Sequence, residues 1–359
     1  MGSESAVEGE TFVGLDVHKS TIVATAVDAQ GRRIDQSTIG PTDQDLIDYL
    51  SRLPGVKKAV LEVCPVWEHL YDAATSTGTS VLVSNPYRVR LIADASIKTD
   101  KVDSEALATL LRLRAIPAVY VADPETRAVR QLVRDRQFYR VKERAIMNHL
   151  YGFLLRHGVP YEERILTKPR RREELRDLHL PEVDRGLDAL AALAPTSKRL
   201  DAAIHEAFLQ SKEAQLLASI PGIGDLIAVT LAAYLCPIDR FAHFDQVSSY
   251  AGLCPTTFQS SRRSVNGPLK YDCNRMLRWA MIEASWVHRR EEKSGYVSRV
   301  GRRIARRKGG SRGAVASAHA LLRVVYAILK RGTPYSHNAP ERPSCKLNEA
   351  APSRRLHDS

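Results

Sequence analysis

Four carboxylates and one pair of adjacent hydroxyls carry the chemistry that this sequence could perform. The acids are Asp16, Glu62, Asp100 and Asp103; the hydroxyls are Ser260 and Ser261, directly before Arg262 and Arg263. Clustered carboxylates repel unless a cation joins them, and hard oxygen donors suit Mg²⁺ or Mn²⁺. Two such ions about 4 Å apart can activate an attacking oxygen and stabilise a leaving one. Serine attacks poorly until a base, metal or cation lowers the cost of its oxyanion. Guanidinium groups beside it hold a phosphate bidentately and offset charge at the attacked phosphorus. The combination points to phosphoryl transfer. Each part has a plainer reading. Ser-Ser-Arg-Arg can be a solvated basic turn, Asp16 can end a strand, and Asp100 or Asp103 can cap the helix opened by Ser104 and Glu105. The four acids in strand order favour the metal.

The elements that would position the acids are legible upstream. Thr11–Asp16 is apolar and ends in a carboxylate, Ser20–Asp28 alternates, and Gln30-Gly31 turns the chain into Arg32–Ile39. Pro41-Thr42-Asp43 opens a helix through Leu46, Ile47, Leu50 and Leu53. The strand Lys57–Val63 holds Glu62 near its end, a helix surrounds Trp67–Ala74, and Ser80–Val83 is a further strand. This predicts an α/β domain over residues 11–123, after a polar leader of residues 1–10. Strand ends in such a sheet converge on a crevice. A separation of three places Asp100 and Asp103 on one helix face.

From Glu125 to Gly158 the periodicity is helical, with Arg127, Arg130, Arg134, Arg136, Arg140 and Arg144 on the remaining faces. These arginines read equally as a solvated face or as backbone contacts to DNA or RNA. Leu200–Leu217 predicts a second amphipathic helix, so residues 124–212 form a helical spacer, read as an antiparallel pair or coiled coil. Residues 213–335 form a mainly helical C-terminal domain. Its Pro-Gly-Ile-Gly stretch, with Gly222 and Gly224, is the helix-hairpin-helix pattern whose backbone amides can cradle a phosphate, or else close helix packing. Asn266-Gly267-Pro268 reads as a turn after the serines, before a helix carrying Arg275 and Arg278. Lys19, Lys98, Arg262, Arg263, Lys270, Arg275 and Arg278 are candidate nucleic-acid contacts. So is the run Arg302, Arg303, Arg306, Arg307 and Lys308, with Gly309-Gly310 as a flexible break where the chain would order on nucleic acid. Residues 336–359 are polar and predict disorder.

Composition narrows the partners. The 359 residues carry a formal net charge of +12, with 44% hydrophobic and 26% charged residues. That is an ordinary globular composition with an excess of cations, which favours a polyanion, most simply nucleic acid. No run approaches the length of a spanning helix, the acidic start is no secretion signal, and the reading is cytoplasmic. The five cysteines form no Cys-x-x-Cys pair, which supports neither a zinc knuckle nor a disulfide framework.

The stretches GLDVHK, LEVCPVWEHLYDAATSTGTSVLVSNP and IKTDKVDSEALA resemble the RuvC-like, RNase H-fold domain of the DEDD transposases of insertion sequences, the IS-one-ten family. RFAHFDQVSSYAGLCP resembles that family's second motif block. The resemblance runs from Thr11 to about Tyr335. It implies that Asp16, Glu62, Asp100 and Asp103 bind Mg²⁺ and that Ser260 is the nucleophile. Ser261 stands where the family usually has glycine, which leaves the choice between the two serines open. Tyr271 occupies the family's usual lysine position and Cys273 its usual glycine. His18 and Lys19 lie in the opening motif, as phosphate neighbours or as a surface turn. The resemblance further implies donor and target DNA, a structured bridge RNA, a homo-oligomer (dimer or dimer of dimers), a phosphoserine–DNA intermediate, and a place with the nucleoid. Two other readings remain: a metal-only Holliday-junction nuclease using water, and a non-catalytic architectural nucleic-acid-binding protein.

Overall fold

The computed structural model describes residues 9–90, 99–159, 165–260 and 263–336. The chain divides into two compact units, residues 1–122 and 123–359.

The first unit is built on β1 (Glu10–Val17), β2 (Ile22–Val27), β3 (Arg33–Ile39), α1 (Asp43–Ser51), β4 (Val56–Glu62), α2 (Trp67–Ser76), β5 (Ser80–Ser84), α3 (Pro86–Arg90) and α4 (Asp100–Arg112). The sheet order is β3-β2-β1-β4-β5. Strand β1 is antiparallel to β2 and parallel to β4, and β5 continues parallel to β4. Alternation along β1 sends its side chains to two different cores. Val13 and Leu15 pack with Leu46, Tyr49, Leu50, Leu70 and Ala74 of α1 and α2. Phe12 packs on the opposite face with Val60, Leu107, Ala108 and Leu111, under α4. Gly14 shares that second face, where a Cβ would overlap the carbonyl oxygen of Ser104 and come within 2.5 Å of the Ala108 amide. The absence of a side chain lets α4 lie directly on β1. A buried hydrogen bond of 2.7 Å between the Thr25 and Ser104 hydroxyls fixes its rotation.

The second unit contains α5 (Pro124–Arg156), α6 (Pro169–Glu174), α7 (Pro181–Gln210), α8 (Lys212–Ala218), α9 (Asp225–Leu235), α10 (Phe244–Tyr250), β6 (Pro255–Ser260), β7 (Arg263–Leu269), α11 (Arg275–Glu291), α12 (Tyr296–Lys308) and α13 (Gly310–Arg331). The helices expected as a spacer belong to the same compact unit as the C-terminal region. At one end of the α5–α7 pair, Val133 and Ile204 join the core of α8, α9, α11 and α13. At the other end Leu150, Phe153 and Leu154 meet Val183, Leu187 and Leu190 in a separate cluster. Between them the contacts are polar. Ser197 donates to the Glu143 carboxylate, and Arg136 Nε donates to Asp201 Oδ1 at 2.6 Å.

Three local expectations need correcting. The helix read over Leu200–Leu217 breaks at Ser211, whose hydroxyl accepts from the Ala214 amide and so caps α8. Asn266-Gly267-Pro268 is not a turn. It lies inside β7, where Thr257 pairs with Asn266 but Pro255 pairs with Leu269. The extra residue on β7 is accommodated as a bulge, a usual position for glycine and proline in a strand. Finally, α13 is long and apolar enough to cross a membrane by length and composition alone. Ala318, Leu321, Leu322 and Val325 on it are fully buried in the core of this unit. Cys64, Cys236, Cys254 and Cys273 are free thiols.

Candidate active site

Strand register places two of the acids. Leu15 of β1 pairs with Leu61 of β4, so Asp16 and Glu62 follow as neighbours on adjacent parallel strands. Each stands two residues beyond a position that faces α4: Gly14 before Asp16, and Val60 before Glu62. Both carboxylates therefore rise on the α4 face. The first turn of α4 brings Asp100 and Asp103 to that face. Neither aspartate is the helix cap. Thr99 is, accepting from the Val102 amide at 3.3 Å.

The acids feel one another. Burial raises the Asp16 carboxyl above its ordinary value, His18 opposes this, and Asp100 and Asp103 add to the rise. The Cys64 thiol is raised chiefly by burial, with Glu62 and Asp16 both contributing. His18 stands in the turn joining β1 to β2, its amide bonded to the Thr21 carbonyl at 2.9 Å. Its Nε2 lies 3.1 Å from Asp16 Oδ2 and 3.4 Å from Asp100 Oδ2. Among the described residues, Asp16, His18 and Asp100 offer ligand atoms within 4.8 Å of one another. The sequence placed His18 beside a phosphate or in a turn; it is in the turn and bridges two of the acids. Lys19 is exposed beside it, and Lys98 lies outside the described residues.

A hard divalent cation fits this set. Asp16 of β1 and Asp100 of α4 supply oxygen donors, Glu62 and Asp103 standing outside that cluster, and a cation there offsets the burial and the like-charge repulsion that raise the Asp16 carboxyl. Imidazole is the weaker match for magnesium, so the oxygens would form the donor set.

The serine lies in the second unit. β6 and β7 form a hairpin in which Ser260 pairs with Arg263. Ser261 and Arg262 come between them and lie outside the described residues. Ser260 is therefore the last paired residue before the hairpin end. The base of the hairpin is tightly held. Asn274 caps α11 by accepting from the Leu277 amide at 3.0 Å, and its Nδ2 donates to the Tyr250 hydroxyl at 3.0 Å. Lys270 Nζ donates to Ser249 Oγ at 3.0 Å, and Arg278 donates to the Lys270 carbonyl. Two expected nucleic-acid contacts, Lys270 and Arg278, are thus turned to internal partners, whereas Arg275 is exposed.

The Pro-Gly-Ile-Gly stretch joins α8 to α9. Gly222 has φ +86°, and a Cβ there would stand 2.6 Å from the His288 amide nitrogen on α11. Its lack of a side chain serves close packing. Gly224 is exposed at the start of α9, where Asp225 pairs with His205 at 2.7 Å.

The basic run is a formed helical face. Arg302, Arg303, Arg306, Arg307 and Lys308 are all exposed on α12. Its opposite side crosses α13 through small residues: a Cβ on Gly301 would overlap Ser317 Oγ, and one on Gly313 would reach Ala305 Cβ at 2.6 Å. Gly309, with φ +89°, reverses the chain into α13, so the expected flexible break is a helix-to-helix turn. Of the arginines of α5, Arg134 and Arg144 are exposed, while others have internal partners. Arg127 is buried, Arg130 donates to the Ala233 carbonyl at 2.9 Å, and Arg140 lies 3.9 Å from Glu283.

Comparisons with known proteins find similarity in both halves of the chain. Residues 13–158 match the DEDD transposase family of the IS110 type, and residues 214–307 match the transposase family IS116/IS110/IS902. The transposase for insertion sequence element IS1111A of Coxiella burnetii is 23% identical over 344 residues, covering 90% of this chain and 91% of its own. The transposase for insertion sequence element IS1328 of Yersinia enterocolitica is 22% identical over 338 residues, covering 91% and 98%. With the acids in the first matched segment and the serine hairpin in the second, this chain belongs to the IS110/IS116/IS902 family of insertion-sequence transposases.

Proposed function

We propose that the protein cleaves and rejoins DNA strands through a covalent phosphoserine intermediate, using Asp16, Glu62, Asp100 and Asp103 to hold Mg²⁺ and Ser260 as nucleophile. The observation that carries this reading is the convergence of two strand ends and one helix start on a single face, with carboxylates at each. The sheet, a three-strand antiparallel meander extended by two parallel strands, supports the RuvC-like assignment of the first unit.

Magnesium bound by these carboxylates would supply Lewis acidity to the scissile phosphate. The chain's own residues do the rest. The Ser260 hydroxyl oxygen bonds to phosphorus as the bond from phosphorus to one deoxyribose oxygen breaks; the serine proton is lost and the released deoxyribose oxygen gains one. The phosphodiester count is unchanged, so a second DNA hydroxyl can reverse the step on another strand without an external energy source. Arg262 and Arg263 follow Ser260 and Ser261 in sequence, where guanidinium charge would offset that of the phosphate. The exposed α12 face would hold the nucleic-acid backbone. Family membership extends the reading to a guide RNA and a dimer or dimer of dimers. RNA pairing would then read sequence while the basic faces read shape.

The test is to incubate the protein with its element's DNA ends, RNA from the flanking non-coding region and Mg²⁺, digest, and map nucleotide adducts by mass spectrometry. An adduct on Ser260, absent in Ser260→Ala and in Asp16→Asn, is expected. An adduct on Ser261 moves the nucleophile by one residue. Normal cleavage by both serine variants, with no adduct, overturns the covalent mechanism in favour of water attack.

A further inference from the structure

The outer face of α11 carries aromatic rings under guanidinium groups. Arg275 lies over Tyr271 at 4.9 Å, Arg140 over Trp279 at 5.7 Å, and Arg289 over Trp286 at 5.3 Å. The inner face of the helix, from Leu277 through Ala280, Met281 and Ala284 to His288, is buried in the core. At 3.6 residues per turn, Arg275, Trp279, Trp286 and Arg290 fall within about 60° of one another on the opposite side. Tyr271, just before the helix, is 82% exposed and Trp286 is 46% exposed. A tryptophan left half in water on a helix that buries its other face so completely is not serving the core.

Trp286 forms one wall of a cleft of about 210 Å³, completed by Arg289, Arg290, Lys293, Ser298 and Arg302. Four of those six residues are cations, and no carboxylate lines the cleft. A water's share of liquid volume is about 30 Å³, so the space suits a planar ring better than a lone ion. An apolar protein partner would have to desolvate four charges here. A nucleic-acid strand matches them with phosphates and covers the indole with a base. Single-strand-binding surfaces combine these same two parts, a basic groove and aromatic rings on which bases stack regardless of sequence. In a duplex the bases are stacked on one another, so only an unpaired base can reach Trp286.

We infer that the Trp286 cleft binds an unpaired nucleotide of the DNA substrate, its base stacked on Trp286 and its flanking phosphates held by Arg289, Arg290, Lys293 and Arg302. The inference rests on the reading of the protein as one that opens and exchanges DNA strands, because that chemistry exposes single-stranded DNA beside the enzyme. It adds a site that neither the acids nor Ser260 requires.

The experiment compares binding of the full-length protein to three fluorescein-labelled strands of equal length by fluorescence anisotropy: oligothymidylate, an abasic deoxyribose strand, and oligouridylate. Wild type is expected to prefer thymidylate over the abasic strand by roughly five-fold to a hundred-fold, the range for one stacked base. Trp286→Ala should erase that preference and Trp286→Phe should keep most of it, with unchanged far-ultraviolet circular dichroism. On the unaltered protein, an oligonucleotide carrying 5-iodouracil should photocrosslink to the peptide containing Trp286. Equal affinity for thymidylate and abasic strands, or an undiminished preference in Trp286→Ala, overturns stacking at this cleft while leaving the DNA-processing reading intact. A tenfold preference for oligouridylate overturns the assignment to DNA in favour of RNA. Failure to bind any of the three strands overturns the nucleic-acid reading and this site with it.

Discussion

Gly14 lies so close beneath Ser104 that any side chain at position 14 would collide with the Ser104 carbonyl. That contact sets the height of α4 above the sheet, and Asp100 and Asp103 travel with the helix. Gly14→Ala is therefore expected to cost about 1–3 kcal/mol by overpacking and to displace the two aspartates from Asp16 and Glu62. Urea denaturation gives the first number. The second effect appears as a loss of DNA cleavage larger than the stability change explains. A Gly14→Ala protein with full activity would show that the helix height is not what aligns the acids.

Asp16→Asn and Glu62→Gln keep side-chain volume and remove charge from the shared face of β1 and β4. Each should lower cleavage by about 10²–10³-fold, the loss typical of removing one electrostatic stabiliser from a phosphoryl or acyl transfer site. A ligand present at a hundred times its Kd stabilises the folded state by about 2.7 kcal/mol. Thermal melts with and without Mn²⁺ should show a rise of that kind for wild type and none for the double variant. A double variant that still gains stability from Mn²⁺ would place the ion elsewhere.

The α12 face makes a prediction in salt. Replacing Arg302, Arg303, Arg306 and Arg307 by glutamine should weaken duplex binding without regard to sequence. It should also flatten the plot of log affinity against log salt by about 0.9 for each phosphate that the variant no longer neutralises. Anisotropy titrations over several salt concentrations measure the slope directly, and an unchanged slope would remove α12 from the interface.

Asp123 caps α5, accepting from the Thr126 amide at 2.7 Å and the Thr126 hydroxyl at 2.8 Å. Those bonds, the amide's foremost, hold its carboxyl below the ordinary value of 3.8. A carboxyl depressed in the folded state contributes stability above its unfolded pKa and loses it as pH falls through the folded one. Asp123→Ala should thus cost about 1 kcal/mol at pH 7, and the difference from wild type should shrink toward zero in melts taken well below pH 3.8.

Much of this site could be read from sequence because its determinants are local. Alternation along β1 and a carboxylate at its end place Asp16, and a three-residue spacing places Asp100 and Asp103 together. What escaped depends on distant partners. The arginines of α5 look like an exposed basic face, yet Arg136 meets Asp201 and Arg130 meets the Ala233 carbonyl. Those pairings are visible only once the helices are folded against each other. Asn266-Gly267-Pro268 carries every local mark of a turn, and becomes a bulge because β6 lies alongside. Thr99 outcompetes Asp100 and Asp103 for the cap, although all three residue types could fill it.

The polar middle of the α5–α7 pair has a consequence for motion. From residue 134 to 149 α5 buries no side chain fully, while the clusters at either end are apolar. Local opening follows the density of buried apolar contacts. Backbone amides near Val133 and near Leu150 should therefore exchange with solvent slowly, and those between them quickly, along one unbroken helix. The pair is then two separately anchored ends joined by a span that opens locally, so that each end keeps its packing while the middle breathes.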